Sequence, residues 1–114
     1  MSLDPSALDS YREFMGEDAQ AFIAEITATF IESAPTLIFN AEQAMGAGDQ
    51  ETFVRAMHSL KSNSATMGAA LLASLAAEME REGKTDHWNS LGGKLAEAKQ
   101  ELARVIELLA AGQE

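Results

Sequence analysis

The sequence predicts an all-α fold, an antiparallel up-down four-helix bundle with a short additional N-terminal helix. Three observations carry the prediction. Apolar residues recur at spacings of three and four, the helical period, and not at two. Only two prolines, Pro5 and Pro35, interrupt the 114 residues. The breaks between the long amphipathic runs are short and marked by glycine, so successive helices must turn back on one another. At this length the chain is one domain, residues 1–114, without repeats, linkers or low-complexity tracts.

The elements follow in order. Asp4 is an N-cap ahead of a helix-compatible Pro5, opening a short helix that fades near Met15-Gly16. Asp18 is expected to cap the second helix, in which Phe22, Ile23, Ile26, Phe30, Leu37, Ile38, Ala41 and Met45 keep helical spacing up to Gly46 and Gly48. Pro35 lies inside that run and predicts a bend, with Ser33 or a shifted carbonyl absorbing the lost hydrogen bond. Asp49 caps a third helix through Phe53, Met57, Leu60, Ser64 and Met67, stopping near Gly68. A fourth runs from about Ala69 through Leu72, Leu75 and Met79 to Gly83. Thr85 or Asp86 is expected to cap the fifth, whose seam is Trp88, Leu91, Leu95, Leu102, Ile106 and Leu109. Trp88 and the regularly spaced phenylalanines read as core. Glu78, Glu80, Arg81, Glu82 and Lys84 read as a solvated face of mixed sign.

Composition narrows the function. Hydrophobic residues make up 46% of the chain, enough for a modest core. Lys and Arg number 8 against 18 Asp and Glu, a formal charge of −10. That balance argues against nucleic acid and against contact with an anionic membrane. The absence of cysteine excludes disulfides, thiolate metal sites and cysteine nucleophiles. No apolar run is read as approaching the roughly 20 residues of a spanning helix, and no signal peptide is read at the start, so the expected location is the cytoplasm. His58 and His87 have no second ligand at metal spacing, and no glycine-rich phosphate loop or nucleophile turn is present. If the protein does chemistry, one residue carries it.

His58 is the candidate. At about 100° per residue from Phe53, the residues Met57, Leu60, Ser64 and Met67 fall within roughly 40° and define the buried stripe. His58 falls near 140°, facing out, with Lys61 near 80° and Ser62 near 180° one turn on. From Thr52 to Ala77 there is no acidic residue, while Arg55 and Lys61 are both present. In so acidic a chain this is a local electropositive window. The run Ser62-Asn63-Ser64-Ala65-Thr66 is small and mostly polar, a poor helix-forming stretch that suits close approach. His87, beside Asp86, reads as a solvated residue at a helix start.

The run His58-Ser59-Leu60-Lys61-Ser62-Asn63-Ser64-Ala65-Thr66-Met67-Gly68-Ala69 resembles the signature of histidine-containing phosphotransfer (HPt) domains, His-x-Leu-Lys-Gly-Ser-Ser-x-x-aliphatic-Gly-Ala. Phe30-Ile31-Glu32-Ser33-Ala34-Pro35 resembles that family's second helix, and Asp49 to Met57 its lead-in to the histidine, so the likeness covers nearly the whole chain. Ser62 stands where the family most often has glycine, Asn63 where it has Ser or Ala, and Met57 where it often has Ala.

The resemblance implies a two-component phosphorelay intermediate without an ATP site or turnover of its own. His58 would accept a phosphoryl group through Nε2 from the aspartyl phosphate of a response-regulator receiver domain and pass it to another. Lys61 and Ser62 would stabilise the phosphoryl group, and Val54, Arg55, Met57, Ala65 and Ala69 would form the rim on which the partner docks. No cofactor is expected on this chain, since it is read as having no carboxylate near His58; Mg²⁺ would sit on the receiver. The expected partners are receiver domains and a hybrid sensor histidine kinase, with the protein a monomer. The alternatives are the phospho-accepting domain of a chemotaxis-type kinase, and a helical adaptor without chemistry.

Overall fold

The computed structural model describes residues 2–112. Asp4 caps a 3₁₀ turn, Pro5–Leu8, by accepting from the Ser6 amide at 3.0 Å. Helix α1 follows at Asp9–Met15, then α2 at Ala19–Ala47, α3 at Gln50–Thr66, α4 at Ala70–Glu82 and α5 at Gly92–Ala111. Helix α2 is the frame. At about 1.5 Å per residue its 29 residues span about 43 Å, close to the 48 Å length of the molecule. Helices α3 and α5 pack on α2, α4 closes the ring between them, and α1 lies against α2 with the Tyr11 and Phe22 rings in tilted contact, centroids 5.3 Å apart.

The core is built from one stripe per helix: Phe30, Ala34, Ile38 and Ala41 from α2, Phe53, Met57 and Leu60 from α3, Leu72, Ala76 and Met79 from α4, and Leu95, Leu102 and Val105 from α5. Burying the larger of these side chains is worth about 1.5–3 kcal/mol each, and this holds the helices together far more than intrinsic propensity does. Trp88 is half-buried and packs against Phe53 at 5.7 Å, closing one end of the bundle. Glu101 is the exception in the core. It is 1% exposed, takes one bond from Arg104 Nε at 2.9 Å, and its second carboxylate oxygen has no partner among the described residues.

Helix ends explain the turns. At both Gly48 and Gly68 the backbone adopts positive φ, 71° and 76°. The amide of the following residue then reaches back five positions, Asp49 to Ala44 and Ala69 to Ser64, each at 2.9 Å, satisfying carbonyls at the helix end. Asp49 caps α3 as expected, accepting from the Thr52 amide at 3.1 Å. Gly68 has a second reason. The Asp4 amide donates to its carbonyl at 2.8 Å, and an added Cβ would meet Asp4 O at 2.6 Å and Ala7 Cβ at 2.7 Å. Gly68→Ala is therefore expected to cost at least about 1–2 kcal/mol, from left-handed strain and from displacing the N-terminal turn. Thermal unfolding checks this, and a variant as stable as the parent would contradict it.

Three expectations are corrected. Asp18 makes no capping bond, because a 3₁₀ turn, Gly16–Asp18, runs straight into α2 and holds Asp18 in helical rather than extended geometry. Helix α5 begins at Gly92 rather than at Thr85 or Asp86. The Thr85 hydroxyl is used to satisfy Glu82 O at 2.6 Å, and a 3₁₀ turn at Trp88–Ser90 fills the gap. Pro35 lies inside α2, and the helix runs on through it to Ala47. Finally, one window within the helical run Pro5–Ala47 has a mean hydropathy of 1.3, long and apolar enough by composition to cross a membrane. In the bundle this helix turns Phe30, Ala34, Ile38 and Ala41 into the shared core.

Candidate functional site

His58 lies on the outer side of α3, its side chain 62% exposed. Phe53, Met57, Leu60 and Ser64 face inward as the helical wheel places them, so the imidazole has no core role. Its Nδ1 lies 2.7 Å from Glu80 Oε2 on α4. The other oxygen, Oε1, lies 2.7 Å from Lys61 Nζ. One carboxylate therefore bridges the imidazole and the ammonium that follows it by one turn.

The sequence places Glu80 on a solvated face, and the structure corrects this. Its side chain is only 12% exposed, because α4 packs flat on α3 and brings position 80 against position 58. The expectation that no carboxylate stands near His58 falls with it. Lys61, donating a hydrogen bond, and then the His58 ring hold the Glu80 carboxyl below the ordinary carboxylate range, against the opposing effect of partial burial. Glu80 is thus ionised at neutral pH and can only accept. Nδ1 must carry the hydrogen, and in the neutral ring the lone pair is left on Nε2.

Because the folded-state pKa of Glu80 is lowered, its pairing stabilises the fold above the ordinary carboxylate range and is lost as pH falls through the folded value. Acid titration of Glu80→Gln beside the parent checks the sign. The stability gap between them should narrow below pH ~4; a gap that widens on acidification would contradict it.

The other expected site residues divide. Ser62 and Ala65 are exposed on the outer face of α3, and Val54 and Arg55 lie one turn before His58, half-buried and exposed. Arg55 is paired with Glu51 at 2.7 Å. Met57 and Ala69 cannot belong to a docking rim, since both are fully buried. Met57 is on the core stripe, and Ala69 follows Gly68 at the corner covered by the N-terminal turn. Ser64 is buried too, its hydroxyl without a partner among the described residues, so it faces the core and not the imidazole. His87 sits in the exposed Thr85–Ser90 turn.

A shallow groove between α3 and α4 runs from His58 past Val54, Arg55 and Glu80 to Lys84. Its floor is partly apolar and its rim charged. The arrangement offers a solvent-facing nitrogen nucleophile with a fixed tautomer, backed by a carboxylate and flanked by cations. Such an arrangement is suited to receiving a group on Nε2.

Comparison with known proteins agrees. The family model for the Hpt domain matches residues 25–112. No curated protein matches the chain. Among solved structures, the chain is similar to the histidine-containing phosphotransfer protein B (HptB) from Pseudomonas aeruginosa PAO1, with a TM-score of 0.81 and 25% identity over 98% of this chain and 94% of that one. Neither finding favours a chemotaxis-kinase domain or an adaptor without chemistry. The bundle, the outward histidine and the family match together place this chain in the Hpt domain family, as a histidine phosphotransfer module that exchanges phosphoryl groups with receiver domains in a two-component phosphorelay.

Proposed function

We propose that His58 is the phospho-accepting residue and that Nε2 is the reacting atom. The observation that carries this reading is the Nδ1–Glu80 bond, which leaves the lone pair on the nitrogen facing solvent. In the forward step the Nε2 lone pair attacks the phosphorus of the receiver's aspartyl phosphate. The N–P bond forms, the acyl O–P bond breaks, and the electron pair leaves with the receiver's carboxylate. No proton moves. The ring gains a positive charge, which Glu80 offsets across the Nδ1–H bond. The reverse step expels a neutral imidazole, so the same arrangement serves donation to a second receiver.

Phosphoryl transfer asks a protein mainly for positioning and for charge stabilisation on three equatorial oxygens. Lys61, one turn along and anchored by Glu80, supplies a fixed cation. Ser62, exposed on the same side, offers a hydroxyl where most of the family leaves room. The Mg²⁺ that steadies the aspartyl phosphate belongs to the receiver in this reading. In support, both Glu80 oxygens are already engaged, one by Lys61 Nζ and the other by His58 Nδ1. Receiver domains, one of them carried by a hybrid sensor kinase, are the partners proposed for a monomeric protein acting in the cytoplasm.

The test is to mix the protein with a receiver domain phosphorylated by labelled acetyl phosphate. Label that is acid-labile and base-stable on the parent protein supports the reading. A protein that takes no label from any receiver offered contradicts it.

A further inference from the structure

We infer that Lys84 is the second cation of the phosphotransfer face, a specificity-determining residue that steers and holds the acidic mouth of the partner receiver. The inference rests on His58 being the acceptor, and goes beyond it by naming a residue outside the signature run.

Six of the eight basic side chains are in ion pairs: Arg12, Arg55, Lys61, Lys94, Lys99 and Arg104. Among the described residues, Arg81 and Lys84 alone are left without a carboxylate partner. For a chain with 18 acidic residues, an unpaired lysine is the unusual case. Lys84 follows Glu80 by one helical turn and lines the same groove as His58. It is not carried on a loose loop. The Gln50 side-chain amide, at the first position of α3, donates to Gly83 O at 2.8 Å and to Thr85 O at 3.2 Å, clamping the backbone on either side of Lys84. The Lys84 amide itself donates to Arg81 O at 3.3 Å.

The groove therefore carries one uncompensated charge. Arg55 is balanced by Glu51 and Lys61 by Glu80, which leaves Lys84. A partner that presents an aspartyl phosphate must hold Mg²⁺ with carboxylates around it, so its mouth is acidic. Approaching a protein of net charge −10, such a mouth is repelled over most of the surface. It is attracted only where local cations are unpaired, and the range of that attraction is about 8 Å at physiological salt. Lys84, on the same groove as His58, supplies the attraction where docking must occur.

The experiment measures kcat/KM for transfer from the phosphorylated receiver that labels the parent protein fastest, at about 0.05 M and about 0.5 M salt. Labelling by phosphoramidate, a small donor that needs no docking, is followed in parallel. Lys84→Ala is expected to lower kcat/KM about fivefold at low salt and Lys84→Glu about thirtyfold, with both deficits shrinking at high salt. Lys84→Arg should keep the parent rate, Arg81→Ala should stay within about twofold of it, and phosphoramidate labelling should be unchanged in all. The inference is overturned if Lys84→Glu transfers at the parent rate, if the deficit is indifferent to salt, or if Arg81→Ala loses as much. A parent protein that no receiver labels would overturn the reading of His58 instead.

Discussion

His58→Gln is expected to take no phosphoryl group from a receiver while retaining full helical content and cooperative unfolding. The imidazole is the only group at the site with a lone pair suited to attack, and its exposed side chain contributes no core contact. Glutamine is the informative replacement. Its amide can still donate to Glu80, so that carboxylate keeps two partners and the α3–α4 contact is undisturbed. Stability should change by no more than about 0.5 kcal/mol, as for other surface substitutions. Transfer assays and circular dichroism on the same preparation check both halves. Undiminished label on this variant would remove His58 from the mechanism and turn attention to His87.

Glu80→Ala should have the next largest effect, slowing transfer about thirtyfold, equivalent to about 2 kcal/mol of transition-state stabilisation. Three contributions are lost together: the bond that fixes the hydrogen on Nδ1, the negative charge that offsets the ring's positive charge, and the anchor for Lys61. The hydroxyl–histidine–carboxylate triad shows the same logic, in which an orienting carboxylate sets the tautomer without reacting. Here the ring is open to water, which can supply part of the missing hydrogen bonding, so the loss is smaller than in a closed active site. Folding stability should fall by less than about 1 kcal/mol, because both partners of Glu80 are substantially exposed. Lys61→Ala should be slowed less, about tenfold, since it removes the cation and leaves the tautomer intact. Transfer by Glu80→Ala at the parent rate would separate the carboxylate from the chemistry.

Most of the bundle is legible in one dimension because helical spacing and helix ends are local properties. The α3 stripe of Phe53, Met57, Leu60 and Ser64 follows from a 100° wheel, and Gly48 and Gly68 mark turns that need positive φ. The same wheel turns His58 outward. What it cannot show is the neighbour across the hairpin. Glu80 lies one residue past the buried Met79 and four past the buried Ala76, at the edge of the α4 stripe, where a wheel alone reads it as surface. The signal was nonetheless present. In an antiparallel hairpin turning at Ala69, residues equidistant from the turn face each other, and 69 − 58 = 11 equals 80 − 69 = 11. Met57 illustrates the opposite fault. Its angle already put it in the core, and a place on the docking rim conflicted with that angle. The α5 start depends on tertiary contacts, since Thr85 caps the end of α4 and Trp88 turns inward against Phe53.

If Glu80 fixes the His58 tautomer, Nε2 is the acceptor atom. NMR spectroscopy of the phosphorylated protein, correlating ³¹P with the ring ¹⁵N and ¹H nuclei, reads that atom directly. The expected spectrum places phosphorus on Nε2 of His58, with a hydrogen retained on Nδ1. Phosphorus on Nδ1, or on His87, would contradict it.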